Sequence, residues 1–239
     1  MPSPYGLDIV ESCLTCKLRE QYIFCNLPPA AVEHLEKIRT VAEYPKGSLL
    51  FVEGQSARGV FILCHGRAKL STSSAEGKTV ILRIAEPGEV VGLGSAVSGK
   101  PYDATAETLE PTQANFISRR DLLEFLAKNG DVALRVAQQL SHNYHAACTE
   151  VRYLALADSA TEKLARLLLE WSTGREQKPG GEVRLKVTLT HEEISQLLGT
   201  SRETVTRALS ELKKRQLVEV KGSTLIIHSR PALERLVNA

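Results

Sequence analysis

Arg202, Glu203 and Arg207 crowd the first turns of "SRETVTRALSELKK", directly after a Gly199-Thr200 break. A guanidinium can pair bidentately with guanine, and a carboxylate can accept from the amino group of cytosine, so this set has the chemistry of base-edge readout. Ser201, Thr204 and Thr206 carry hydroxyls short enough to reach phosphates, and Thr190 opens the preceding helix. A second group lies near the start, where Cys13, Cys16 and Cys25 form a C-x2-C-x8-C array. Thiolates at that density can hold an iron–sulfur cluster or zinc, or form a thiol–disulfide switch; the plainer alternative is buried or free thiols beside a structural segment. The six histidines are scattered, His142 and His145 reading as an exposed i, i+3 pair. None joins a Ser or Cys nucleophile in a recognised motif, and no enzymatic activity is expected.

Base readout needs a helix held by its other face. Val205, Leu209 and Leu212 fall on one side, while Glu203, Arg207, Ser210 and Lys214 lie opposite. Ser201 is placed to cap this helix. In the helix before it, Thr190 and Glu193 have capping-box spacing, Ile194, Leu197 and Leu198 form the apolar stripe, and Gly199 permits the turn. A strand in "EVRLKVTL" and a hairpin in "LVEVKGSTLIIHS", turning at Gly222, complete a winged helix-turn-helix pattern.

Upstream, from Glu43 to Phe116, β-rich runs including "GVFILCHG" and "EVVGLGS" alternate with glycine-bearing turns, as in a β-sandwich or barrel. Ala133, Ala137, Leu140, Tyr144, Ala147, Val151 and Leu154 then recur at alternating steps of four and three. That seam is of the coiled-coil type and points to a parallel dimer, or else to a helix packed on its own barrel. Asp158 is placed to cap the next helix, with a hinge between Leu156 and Ser159.

With 239 residues, 43% hydrophobic and 24% charged, the chain is long enough for two cored domains, and wholesale disorder is excluded. The net charge of +2 is uninformative alone, but from Glu182 onward ten basic residues face seven acids. No leader pattern and no membrane-length apolar run appear, so a cytoplasmic protein with reduced cysteines and no membrane partner is expected.

Over nearly its whole length the sequence resembles the Crp/Fnr family, the relatives of the cyclic-AMP receptor protein and the fumarate-nitrate regulator. "YPKGSLLFVEGQSARGVFILCHGRAKL" resembles the family's sensor barrel, "PGEVVGLGSAV" its ligand cassette, and "SRETVTR" the recognition helix of the cyclic-AMP receptor branch. The resemblance implies an α+β fold: a cyclic-nucleotide-binding-like β-barrel of the jelly-roll type, a long dimerisation helix and a C-terminal winged helix-turn-helix. The corresponding segments are a Cys-bearing 1–28, the sensor at 29–130, the dimerisation helix and hinge at 131–157, and the DNA-binding domain at 158–239. It further implies a homodimer on double-stranded DNA reading a TGTGA-type half-site through Arg202, Glu203 and Arg207, and contact with RNA polymerase if the protein activates.

Two departures bear on the signal. Leu93 stands where cyclic-AMP-binding relatives place a ribose-binding Glu, Tyr102-Asp103 where they have Arg-Ser, and Ala147-Cys148 where Thr-Ser meets adenine. A cyclic phosphate facing Asp103 without an arginine would be unpaired and repelled, which argues against cyclic AMP. Gly92, Leu93, Tyr102, Asp103 and Cys148 remain the candidate pocket for another small-molecule effector. The oxygen-sensing branch holds an iron–sulfur cluster with a fourth cysteine on a late barrel strand; here that position is Asn115, so no fourth ligand is evident unless Cys64 or Cys148 substitutes. The rival reading is a thiol redox or metal-binding protein whose helix-turn-helix mediates protein contacts only.

Overall fold

The computed structural model describes residues 4–7, 9–16, 19–22, 25–156, 159–175 and 182–237. They fall into two compact units, Met1–Ala147 and Cys148–Ala239.

The first unit opens with α1 (Pro29–Ile38), followed by β1 (Arg39–Tyr44), β2 (Leu49–Phe51), β3 (Gly59–His65), β4 (Ala68–Ser73), β5 (Thr79–Ala85) and β6 (Val90–Val91). Then come α2 (Leu93–Ser98), β7 (Thr105–Thr108), β8 (Thr112–Ser118), α3 (Arg119–Lys128) and α4 (Gly130–Leu156), whose residues from Cys148 onward belong to the second unit. Two antiparallel four-stranded sheets result, ordered β1-β8-β3-β6 and β2-β7-β4-β5. This is the expected jelly roll, built as two open sheets rather than one closed barrel.

Strand alternation gives the unit two cores. Phe61 and Leu63 of β3 and Ala114 of β8 point between the sheets, with Phe51, Leu70 and Tyr102. Val60, Ile62 and Ile117 point outward to a second core completed by Val32 and Leu35 of α1, Leu93 of α2, Leu122 and Phe125 of α3, and Val132 and Val136 of α4. The run "EVVGLGS" is not one strand, as its pattern suggests; pairing stops after Val91, and α2 follows. Gly92 sits at φ 79°, a left-handed conformation that turns the chain out of the sheet at little cost only for glycine.

Helix α4 carries two faces. Val132, Val136 and Gln139 are buried, and of the seam one position along Ala133 is half-buried and Leu140 packs partly against the same core, whereas Ala137 and Ala147 are exposed and Tyr144 and Val151 are 67% and 66% exposed. The side chain of Leu154 lies outside those described.

The second unit contains α5 (Ala160–Trp171), β9 (Val183–Lys186), α6 (His191–Leu198), α7 (Arg202–Lys214), β10 (Val218–Lys221), β11 (Thr224–Ile227) and α8 (Arg230–Val237). Its sheet runs β10-β11-β9, so the hairpin turning at Gly222 gains a third strand. The helix cap differs from expectation: Ser159 caps α5, its hydroxyl accepting from Glu162 N–H, while residues 157 and 158 of the expected hinge, Asp158 among them, lie outside the described residues. Leu164, Leu168, Ile194, Leu198, Val205, Leu209, Leu212 and Leu233 make the core that fixes α7.

Candidate nucleic-acid interface and sensor region

The base-reading candidates stand on a helix whose geometry is set by hydroxyl caps. Thr190 and Glu193 close a full capping box at the start of α6, and Gly199, at φ 61°, lets the chain turn into α7. Ser201 Oγ accepts from Thr204 N–H at 3.2 Å and lies 3.0 Å from Thr204 Oγ1. That hydroxyl in turn accepts from Arg207 Nη2 at 3.0 Å. Ser201, Thr204 and Arg207 therefore form one surface chain that pre-aims a guanidinium along the N-terminal turns. Thr206 Oγ1 donates to the Arg202 carbonyl at 3.0 Å and sits 3.1 Å from His191 Nδ1, tying the α6 entry to α7.

Beneath this surface Val205, Ala208, Leu209 and Leu212 are buried, while Arg202, Glu203 and Arg207 are exposed. Glu203 is held below the ordinary carboxylate pKa by its own backbone N–H and the Ser201 hydroxyl, with Arg202 and Arg207 adding their charge. It therefore remains an acceptor at neutral pH. The helix ends in Lys213 and Lys214, favourable against the C-terminal dipole. Thr161 Oγ1 donates to Glu211 at 2.7 Å and locks α5 to the same helix.

In the first unit, Gly92 and Tyr102 of the expected pocket come together, but as core. Tyr102 is 4% exposed and stacks on Phe51 with ring centroids 4.1 Å apart. Its hydroxyl donates to the Gly59 carbonyl at 2.7 Å and accepts from Gly59 N–H at 3.2 Å. A Cβ on Gly92 would meet the Tyr102 ring at 2.9 Å, so glycine there makes room for the aromatic. Phe61 and Phe116, with centroids 5.0 Å apart, extend this packing between the sheets. Leu93 is buried in the other core, Asp103 is exposed, and Cys148 is exposed on α4.

The N-terminal cysteines are strapped onto the outer face of the β1-β8-β3-β6 sheet. Gln113 of β8, fully buried, accepts from Val10 N–H and donates to Val10 C=O, both at 2.8 Å. Arg39 donates to the Glu11 carbonyl at 2.6 Å, pairs with Glu36 at 2.6 Å and donates to Asn115 Oδ1 at 2.9 Å. Glu36 also receives the Ser12 hydroxyl at 3.1 Å and the Cys13 N–H. Despite the opposing effect of burial, the Arg39 hydrogen bond and these donors keep its carboxyl below the ordinary value.

Asn115 stands where the resemblance to the oxygen-sensing branch calls for a fourth cysteine. Its Nδ2 donates to Cys64 Sγ at 3.1 Å and to Cys13 Sγ at 3.8 Å. Burial first, then the thiols of Cys13 and Cys16, joined for Cys64 by that of Cys25, push Cys25 and Cys64 up to about 12. Cys13, also raised mainly by burial and eased by Arg39, reaches about 11. At neutral pH these are thiols, poor nucleophiles in this arrangement. No group of three or more His, Cys, Asp or Glu side chains among the described residues is gathered tightly enough to hold a metal ion. The donor types nevertheless fit a soft metal, and Asn115 Nδ2, which reaches both Cys64 Sγ and Cys13 Sγ, brings two of the four sulfurs together.

Comparison with known proteins agrees with this layout. Residues 41–129 match the cyclic nucleotide-binding domain family and residues 162–236 the Crp-like helix-turn-helix domain family. The chain is 26% identical over 213 residues, 89% of its own length and 95% of the relative's, to a CRP-like cAMP-activated global transcriptional regulator of Mycobacterium tuberculosis. It is also 26% identical to the anaerobic regulatory protein of Bacillus subtilis, covering 84% of this chain and 85% of that one. In fold it is similar to FixK2 of Bradyrhizobium japonicum, with a TM-score of 0.74 and 24% identity over 84% of this chain and 98% of that one.

Proposed function

The chain belongs to the Crp/Fnr family of DNA-binding transcription regulators, and from that premise we propose that it works as a homodimer reading a TGTGA-like palindrome through α7. The observation that carries this reading is the exposed, pre-capped N-terminal end of that helix, where Arg207 is already aimed by Thr204 and Ser201. In a major groove, Arg202 and Arg207 pair with guanines and Glu203 accepts from cytosine N4. Ser201, Thr204 and Thr190 hold phosphates and set the register.

The dimer reading is supported by α4. Tyr144, Ala147 and Val151 form an exposed apolar stripe distinct from the face that packs on the first unit, as a two-fold helix pair requires. Two half-sites about one helical turn apart, roughly 34 Å, follow from that symmetry. A cytoplasmic setting accords with the lack of any membrane-length apolar helix among the described residues. RNA polymerase is the further partner if the outcome is activation.

The input is a small-molecule or redox signal other than cyclic AMP. Tyr102 supports this, because it fills the space between the sheets and offers no cation to a cyclic phosphate. Cys13, Cys16 and Cys25 are the proposed carriers of a redox or metal signal. Bound there, an iron–sulfur cluster would supply oxygen-responsive chemistry, and Arg39, Glu36 and Gln113 would hold the thiol-bearing segment to the sheet.

Binding of the purified chain to a TGTGA palindrome and to random duplex, followed between about 50 and 200 mM salt, tests the proposal. A preference for the palindrome of at least about 10³ is expected. Equal binding to both would overturn it and favour a thiol or metal protein using its helix-turn-helix for protein contacts.

A further inference from the structure

Cys64 is remote in sequence from the N-terminal array, yet the sheet brings it there. On β3, Val60 and Ile62 face the outer core and Phe61 and Leu63 the inner one, so alternation turns Cys64 outward. On β8, Ala114 and Phe116 face inward, which turns Asn115 outward with Ile117. The two strands are antiparallel neighbours with Ile62 opposite Asn115, and the register shifts between Leu63 and His65. That irregularity lies at Cys64, whose sulfur sits 3.1 Å from Asn115 Nδ2.

The same amide nitrogen is 3.8 Å from Cys13 Sγ, so one side chain joins the strand thiol to the strap thiol. An amide has two N–H donors and can serve both. Asn115 is 1% exposed and its carbonyl oxygen is fixed by Arg39, which leaves it no freedom to turn away. Cys13 and Cys25 pack against the same outer core. Between Cys16 and Cys25 in sequence, Arg19 Nε is buried without a hydrogen-bond partner, a donor waiting for a negative acceptor.

We propose that Cys64 is the fourth ligand of a soft-metal site completed by Cys13, Cys16 and Cys25, and that Asn115 is the outer-shell donor to its sulfurs. The inference rests on reading the N-terminal thiols as metal-binding. It moves the fourth ligand from β8, where the oxygen-sensing branch carries it, across one strand pairing to β3. Binding of M²⁺ exchanges four S–H bonds for four metal–sulfur bonds and releases four protons, leaving a tetrathiolate centre of charge −2. Arg39, hydrogen-bonded to Asn115, supplies a nearby positive charge. Because the four thiols stand too far apart to coordinate one ion as they are, loading must tighten the strap against the sheet, which couples occupancy of the site to docking of the N-terminal segment.

Reduced full-length protein titrated anaerobically with Co²⁺ tests this through the thiolate-to-metal charge-transfer absorption. In Cys64→Ser the absorption per bound metal should fall by about a quarter, one thiolate of four being lost. Cys148→Ser should leave it unchanged, and Asn115→Cys placed in the Cys64→Ser chain should restore it. Alkylation of the unsubstituted chain, mapped by mass spectrometry with and without Co²⁺, gives a second measure that needs no variant to fold. Metal should slow modification of Cys64 together with Cys13, Cys16 and Cys25. If the unsubstituted chain binds no Co²⁺, the metal reading itself fails and this inference with it. If it binds Co²⁺ but neither the Cys64→Ser absorption nor Cys64 alkylation changes, the fourth ligand is not Cys64 while the metal reading stands.

Discussion

Helix α7 and the space between the sensor sheets handle polar chemistry in opposite ways. Around α7 the apolar residues are turned inward, and Arg202, Glu203 and Arg207 are left to solvent, organised only by hydroxyls and caps. Between the sheets, Tyr102 is turned inward, its hydroxyl committed to the Gly59 backbone and its ring to Phe51. One surface is prepared for a partner, and the other has satisfied itself. If Arg202, Glu203 and Arg207 read DNA as we propose, the output surface keeps its readout chemistry while the aromatic ring of Tyr102 fills the space between the sensor sheets. On the same proposal the input enters elsewhere, at the thiol-bearing strap on the outer sheet face, where Asn115 bridges Cys13 and Cys64.

Three substitutions probe that contrast. Tyr102→Ala should be the most damaging, costing about 3 to 5 kcal/mol through the cavity it leaves in the inner core. The single tryptophan, Trp171, packs on the core of the second unit, so its fluorescence reports that unit's unfolding, while far-ultraviolet dichroism reports both. The dichroism transition should move and the tryptophan transition should not; a joint shift would erase the distinction between the two regions.

Arg202→Ala should leave both transitions in place and weaken DNA binding by about 1 to 3 kcal/mol, confined to one base position. Fluorescence anisotropy on single-base operator variants reads this, and a uniform loss across all variants would reassign Arg202 to the phosphates. Thr190→Ala should have the smallest effect. Loss of the capping box costs about 1 kcal/mol in the tryptophan transition, and binding weakens without any change in base preference.

Local chemistry makes α7 legible in the sequence. Ser201, Thr190, Glu193 and Gly199 act within four residues of their partners, so spacing alone places them. Asp158 and Ser159 are both good caps one position apart, and only backbone geometry selects Ser159. Helix α2 resembles a strand in sequence because its six residues are too few to display a period and are bracketed by glycines. Asn115 looks like a missing ligand because its meaning depends on Cys64, 51 residues away in sequence and 3.1 Å away in the sheet. Period-two alternation along β3 and β8 holds that signal, but only strand pairing joins the two strands. Tyr102 likewise aligns with a pocket residue, and only the packing around Gly92 and Phe51 places it in the core.

If DNA reading is retained while the cyclic-nucleotide space is closed, the two properties can be read in one experiment. Affinity of the reduced protein for the TGTGA palindrome is measured by anisotropy with and without millimolar cyclic AMP. Tight, palindrome-specific binding that cyclic AMP leaves unchanged is the expected result. Specific binding that appears only when cyclic AMP is added would contradict it.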